Sequence, residues 1–180
     1  MYGMVNKAIQ DLLVNNYGES AWMRIREKST LKDDFFVSMK SYPDEITFSL
    51  VASASEELGL SQEAILEAFG EYWILYTADE GYRNILNIYG KTLPEFLGNL
   101  NLLHEQITLV MPNLNPPKFS VEKMRTDLFL LTYESNRKGL KPMVYGLLIG
   151  LGKRFKIELS INELASTQAD SSIGKYALSW

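Results

Sequence analysis

The sequence of 180 residues has no cysteine and only one histidine. Without cysteine the chain cannot form disulfides, thiolate metal sites, iron–sulfur clusters or the bonds that attach a haem through a CxxCH motif. With one histidine it cannot build a zinc or copper site from several imidazoles. These two absences exclude metal sites built from thiolates or from several imidazoles.

The sequence also lacks an excess of basic residues and a long hydrophobic run. Its net charge is −4 and its pI is about 5.1, so neither nucleic acid nor a membrane surface is expected as a partner. No stretch approaches the roughly 20 apolar residues of a membrane span. The start MYGMVNKAIQDLL is amphipathic and does not resemble a signal peptide. We expect a cytoplasmic protein.

Apolar and aromatic residues are abundant. Hydrophobic residues make up 46% of the chain, aromatic residues 12% and charged residues 22%, which is typical of a folded soluble protein. A chain of this length suits one domain with a core large enough to enclose an apolar cofactor.

Apolar residues recur at helical spacing through the first two-thirds of the chain. Glycine, proline and capping residues mark where these segments begin and end, and Thr92 with Glu95 forms a capping box. The predicted helices are one ending at Tyr17-Gly18, one around Trp22 to Arg26, one from Pro43-Asp44 to Gly59, one from Ser61 through Ile74, one from Gly81-Tyr82 to Gly90, and one from Thr92 to Pro112.

The last third of the chain has the alternating pattern of strands. We predict a hairpin of Lys118 to Arg125 and Asp127 to Ser135, an apolar helix over Gly139 to Phe155, and strands over Lys156 to Ile161 and Ser172 to Leu178. The fold class is α+β, with helices first and then a small antiparallel sheet packed on one long helix. We expect one domain, with a helical subdomain over about 1–62 and a cofactor-enclosing sheet subdomain over about 63–180.

His104 lies on the apolar stripe of its predicted helix, four residues after Leu100 and three before Ile107. We therefore expect its side chain to be buried. For a lone buried histidine, a core position with a bond to a backbone carbonyl is more common than a role as a metal ligand, so the position alone decides nothing. If His104 does bind a metal, haem is the economical candidate, because the porphyrin supplies four nitrogens and needs one axial ligand.

Tyr133, Ser135 and Arg137 are spaced two residues apart and should face the same side of a strand, where an apolar face ends. A guanidinium beside two hydroxyls suits bidentate binding of a carboxylate, and a haem carries two propionates at its edge. An ion pair between Arg137 and one of the protein's own carboxylates would fit the same pattern. The spacing does not decide between these alternatives.

The motif Tyr133-x-Ser135-x-Arg137, a helical histidine before it and the Pro116-Pro117 loop resemble the signature of the haem-nitric oxide/oxygen binding (H-NOX) family. That family includes the haem domain of soluble guanylate cyclase. The resemblance extends over nearly the whole chain, through the MYG start, FGEYW, LLHE and GL…MVYGLL.

The resemblance implies a non-covalent haem b held in the H-NOX fold. It makes His104 the proximal ligand of the iron, Tyr133, Ser135 and Arg137 the propionate clamp, and Pro117 the residue that presses on the haem plane. Further side chains then belong to the haem pocket: Met1, Tyr2, Val5, Trp73, Tyr82, Leu103, Met143 and Leu147.

In the family's oxygen-binding members a distal tyrosine, supported by a tryptophan and an asparagine, donates a hydrogen bond to dioxygen. The corresponding places hold Met143, Ile9 and Trp73 here. An apolar Met143 favours nitric oxide and carbon monoxide over dioxygen, because bound dioxygen gains about 1.5–3 kcal/mol from such a bond. Trp73, Tyr2 or Tyr82 could still donate, so an oxygen sensor is the runner-up.

The resemblance further implies a sensor and not an enzyme. Nitric oxide at a five-coordinate ferrous haem would release the proximal histidine and its helix, and a histidine kinase or a cyclic-di-GMP enzyme would receive the signal in trans. A haem enzyme is disfavoured because the single histidine is used on the proximal side, which leaves no distal acid–base histidine. A haem-free module that binds an apolar ligand remains an alternative.

Overall fold

A computed structural model describes residues 1–31, 35–77, 83–164 and 172–180. In these residues no helix is long and apolar enough to cross a membrane. The helices and strands are α1 (Gly3–Tyr17), α2 (Glu19–Lys28), α3 (Asp44–Leu58), α4 (Gln62–Thr77), α5 (Arg83–Ile88), α6 (Leu93–Gly98), α7 (Leu100–Val110), β1 (Lys118–Arg125), β2 (Leu128–Glu134), α8 (Lys141–Phe155), β3 (Ser160–Glu163) and β4 (Ile173–Ser179).

The predicted α+β order of helices followed by a small sheet is confirmed, and most predicted helix ends lie within two residues of the observed ones. Gly18 and Gly59 end α1 and α3 at φ values of 83° and 66°, a backbone region that glycine adopts without strain. The capping box of Thr92 and Glu95 is present at the start of α6. The predicted start of α5 at 81–82 lies outside the described residues.

The single helix predicted from Thr92 to Pro112 is wrong, because α6 and α7 are separate helices that meet at Asn99. Asn99 leaves the helical conformation at φ −102° and ψ 4°, and its side-chain amide donates to the carbonyl of Tyr89 at 2.9 Å. Asparagine commonly interrupts a helix by such side-chain bonds to backbone. The apolar stripe of His104 therefore belongs to the shorter helix α7.

The sheet is antiparallel, with strand order β1-β2-β4-β3. Phe119 on β1 pairs with Tyr133 on β2, and Tyr133 pairs with Gly174 on β4. The strand predicted over 156–161 is shifted to Ser160–Glu163, because Lys156 ends α8 in the left-handed conformation at φ 55°. Buried and half-buried residues alternate along β2, so one face of the sheet packs on the core.

The buried apolar residues form two clusters. The helical cluster is formed by side chains of α1 to α4, by Phe36 and Tyr42 between α2 and α3, and by Leu140. The sheet cluster is formed mainly by side chains of α5 to α8, β2 and β4. Helix α4 contributes to both, with Phe69 in the helical cluster and Ile74 in the sheet cluster. The division into subdomains near residue 62 remains a prediction.

Helices α4 and α8 cross so closely that glycine is required at the contact. A Cβ atom built on Gly70 would lie 2.1 Å from the carbonyl oxygen of Met143, and one built on Gly146 would lie 1.9 Å from that of Glu67. No larger side chain fits at such distances without backbone movement. This close crossing fixes the position of Met143 on α8 relative to α4.

Candidate functional site

His104 lies in the second turn of α7, next to the buried Leu103. Its side chain is half-buried, whereas the sequence pattern predicts burial. Its Nδ1 atom is nevertheless buried and has no hydrogen-bond partner among the described residues. A buried polar atom without a partner costs about 1–3 kcal/mol, so an imidazole held in this way favours a ligand from outside the chain.

The loop after α7 brings Pro117 to the imidazole. Burial lowers the pKa of His104, and the backbone of Pro117, which faces the ring, offsets this only in part. The imidazole is therefore neutral at neutral pH, which is the form that binds a metal.

Phe119 lies between the imidazole and the tyrosine of the Tyr-x-Ser-x-Arg motif. Its ring centroid is 5.9 Å from that of His104 and 5.7 Å from that of Tyr133. The side chain of Asn101 donates to the carbonyl of Phe119 at 2.7 Å and accepts from its amide at 2.9 Å. Asn101 precedes His104 by one turn, so these two bonds fix α7 to the first residues of β1.

The structure brings Tyr133, Ser135 and Arg137 together at the end of β2, as predicted. Tyr133 is buried, and burial raises the pKa of its phenol more than the Ser135 hydroxyl and the Arg137 charge lower it. The Ser135 hydroxyl accepts from the amide of Arg137 at 3.1 Å. The strand ends at Glu134, one residue earlier than predicted.

Arg137 forms an ion pair with one of the protein's own carboxylates, which was one of the two alternatives consistent with the sequence. Its Nε donates to Asp44 at 2.6 Å, and its Nη1 donates to the carbonyl of Asn115 at 2.6 Å. Asp44 also accepts from the amino group of Met1 at 2.6 Å. The guanidinium thus joins the start of α3 to the loop that carries Pro117, and it has further donors for a second anion.

Asp44→Asn should lower the free energy of unfolding by about 1–2 kcal/mol at neutral pH, since it removes a partly buried charge partner of Arg137. Burial alone would raise the pKa of Asp44, but Arg137 and the Met1 amine together hold it below its ordinary value of 3.8. A lowered carboxyl pKa stabilises the fold above pH 3.8, and this contribution disappears as the pH falls through the folded-state value.

Urea unfolding of both proteins at several pH values measures the difference between them. We expect a constant difference above pH 5 that shrinks below pH 3.8. A difference that grows on acidification would contradict the ion pair.

Apolar residues predicted to line the pocket lie at the borders of the two clusters. Tyr2, Ile9 and Leu103 are buried, and the other described members of this set are half-buried. Tyr82 lies outside the described residues. The half-buried residues packed against the helical cluster are Met1, Val5, Trp73 and Met143, and Leu147 packs against the sheet cluster.

Tyr2 is buried at the N-terminus of α1, and its hydroxyl accepts from the amide of Asn113 at 3.2 Å. This bond directs the phenol to the loop that follows α7.

Sequence reasoning missed Asp44, Asn101 and Phe119. Asp44 is 93 residues from Arg137, and no local pattern indicates that pair. The spacing of Asn101, one turn before His104, is a signal only once α7 is known to pack beside β1.

These residues fit a planar cofactor that takes one axial ligand from the protein and carries anionic groups at one edge. His104 provides a neutral imidazole, the half-buried apolar residues provide the surroundings, and Tyr133, Ser135 and Arg137 provide donors. In the described part of the chain no cluster of three histidine or acidic side chains could hold a metal ion. The fold and site therefore define a domain suited to haem.

Comparison with known proteins agrees with this class. A family model described as Haem-NO-binding matches residues 2–163, and the chain accordingly belongs to the H-NOX family of haem-binding gas-sensor domains. A domain of this family is a sensor module without catalysis of its own.

Curated relatives include soluble guanylate cyclase gcy-32 of Caenorhabditis elegans, 30% identical over 93% of this chain and 25% of the relative. Soluble guanylate cyclase gcy-34 of the same organism is 29% identical over 93% of this chain and 25% of the relative. The chain thus spans about a quarter of the length of these relatives.

Solved structures share the fold. An H-NOX protein from S. oneidensis in the Fe(II)NO ligation state matches with a TM-score of 0.87 and 21% identity, covering 99% of this chain and 98% of that one. An unliganded Fe(II) H-NOX protein from K. algicida matches with a TM-score of 0.85 and 21% identity, covering 99% and 96%.

Proposed function

We propose that the chain senses nitric oxide, and also binds carbon monoxide, at a five-coordinate ferrous haem b whose protein ligand is His104. The observation that carries the proposal is the buried Nδ1 of His104, which has no partner among the described residues although the ring faces Pro117. Haem, when bound, supplies the iron to which the gas binds.

The chain's own residues orient the cofactor. Tyr133, Ser135 and Arg137 would hold the propionates, and the carboxylate of Asp44 keeps the guanidinium of Arg137 in place for that role. The Asn115 carbonyl binds the same guanidinium, so the clamp and the Pro117 loop are held as one unit. Phe119 packs between the clamp tyrosine and the imidazole and thereby spaces them.

The distal side favours nitric oxide over dioxygen. Met143 and Ile9 have no hydrogen-bond donor, and both belong to or pack against the helical cluster. Bound dioxygen gains about 1.5–3 kcal/mol from a donor, whereas nitric oxide on ferrous iron does not depend on one. The tilted contact of Trp73 with Phe69, 6.1 Å between centroids, packs the indole within the same apolar group.

Helix α7 is the element that would carry the signal. It holds His104 and presents Leu109 and Val110 to solvent, 75% and 66% exposed. Loss of the bond between His104 and the iron would free the helix to move relative to β1, which changes this apolar surface. A histidine kinase or a cyclic-di-GMP enzyme in trans would read the change.

Absorbance titration of the haem-reconstituted ferrous protein tests the proposal. We expect a Soret band, stable complexes with nitric oxide and carbon monoxide, and no stable dioxygen complex in air. Electron paramagnetic resonance of the nitric oxide complex should show no nitrogen coupling from the imidazole.

Two results would decide against it. A folded protein without a Soret band would favour a haem-free module for apolar ligands. A stable dioxygen spectrum in air would favour the oxygen sensor, with a donor on the distal side.

A further inference from the structure

Tyr2 connects two parts of the chain that are far apart in sequence. Its side chain is 4% exposed, and its hydroxyl accepts a hydrogen bond from the amide of Asn113, 111 residues later. The backbone of Tyr2 is itself fixed by a β-bridge with Ser41 at the start of α1. The phenol therefore extends from the helical part of the chain to the loop after α7.

That loop is held at successive residues by different partners. The amide of Leu114 donates to the carbonyl of Met111 at 2.9 Å, and the carbonyl of Asn115 accepts from Arg137. The backbone of Pro117 faces the imidazole of His104. Tyr2 thus binds the loop at Asn113, next to the end of α7. The contacts with Arg137 and His104 lie further along the loop, at Asn115 and Pro117.

We propose that Tyr2 is a positioning residue that holds the Asn113–Pro117 loop against His104, so that the helical part of the chain sets the geometry of the proximal ligand. The inference rests on the proposed role of His104. It gives Tyr2 a function on the proximal side. From the sequence alone, Tyr2 could instead have donated a hydrogen bond to the bound gas on the distal side.

The physical basis is the loss of the hydrogen bond that joins Tyr2 to the loop. Without the Tyr2 hydroxyl, the amide of Asn113, an exposed residue, can bind water in its place, and the loop can leave its position. The proline pair that follows stiffens residues 116–117, so a displacement at Asn113 is transmitted to Pro117 and not absorbed between them. The imidazole then loses the backbone that faces it.

Tyr2→Phe in the full-length, haem-loaded protein tests the inference, and Tyr42→Phe is the matched control. Tyr42 is also 4% exposed, and its hydroxyl also accepts from a backbone amide, that of Val37 at 3.1 Å, but within the helical part. Both variants should lose similar stability. Only Tyr2→Phe should speed amide exchange of residues 113–115, by about tenfold for one lost bond.

Resonance Raman spectroscopy of the ferrous protein provides the second measurement. The iron–histidine stretching band should shift in Tyr2→Phe and stay at the wild-type position in Tyr42→Phe. An unchanged band and unchanged exchange in Tyr2→Phe, or equal changes in both variants, would overturn the inference. If the wild-type protein shows no iron–histidine band, the proposed role of His104 fails, while the exchange measurement still tests the Tyr2 contact.

Discussion

Replacing His104 with glycine is expected to abolish stable haem binding, and added imidazole is expected to restore it. The chain has no other histidine and no cysteine that could replace the lost axial ligand. Removing a residue that hydrogen-bonds to a metal ligand already lowers metal affinity by about 10–100-fold. Removing the ligand itself should therefore lower haem affinity by more. Haem transfer to an acceptor protein, followed by absorbance, measures the effect.

Gln106→Gly is the matched control for this variant. Gln106 is exposed on α7, two residues after His104, and glycine there carries the same helix penalty of about 1 kcal/mol. The control should keep its haem. Equal haem loss in both variants would mean that α7 had unfolded, and unchanged haem binding in His104→Gly would refute the ligand assignment.

Gly146→Ala should destabilise the fold by about 3 kcal/mol or more. The added methyl group would lie 1.9 Å from the carbonyl oxygen of Glu67, which belongs to the helical backbone of α4 and cannot rotate away as a side chain can. Overpacking at a rigid contact usually costs about 1–3 kcal/mol, and a backbone atom at this distance places the change at the upper end. Urea unfolding followed by circular dichroism measures it.

Gly98→Ala provides the comparison. Gly98 is an exposed residue of α6, and a Cβ atom there meets nothing within 4 Å. Alanine should therefore stabilise the fold by about 0.5–1 kcal/mol through its higher helix propensity. Similar unfolding midpoints for the two alanine variants would show that α4 and α8 are not in backbone contact.

Local patterns in the sequence predicted much of the fold and part of the site. The capping box at Thr92 and the glycines that end α1 and α3 act within a few residues of themselves, so their effects can be recognised without tertiary information. The alternation that places Tyr133 on the buried face of β2 is local in the same sense. The apolar stripe of His104 is a further case, although the ring is only half-buried and its neighbours Pro117 and Phe119 come from outside α7.

Contacts between distant segments could not be predicted in this way. The pairing of Asp44 with Arg137 spans 93 residues, and that of Tyr2 with Asn113 spans 111. Each depends on how the helical and sheet parts pack together. The spacing of apolar residues along the chain gives no information about that packing. The break at Asn99 was missed for a related reason, because its side chain bonds to Tyr89, which precedes α6.

The two hydrogen bonds between Asn101 and Phe119 also affect how readily α7 opens on its own. Leu103 is the only residue buried among the eleven of α7, and both Asn101 bonds lie in exposed surroundings. Helix α8, in contrast, buries residues along its length, including Leu148 and Leu151. Elements with little buried surface and solvent-exposed bonds unfold locally at a small fraction of the global free energy. Opening of α7 on its own therefore requires less free energy than opening the core.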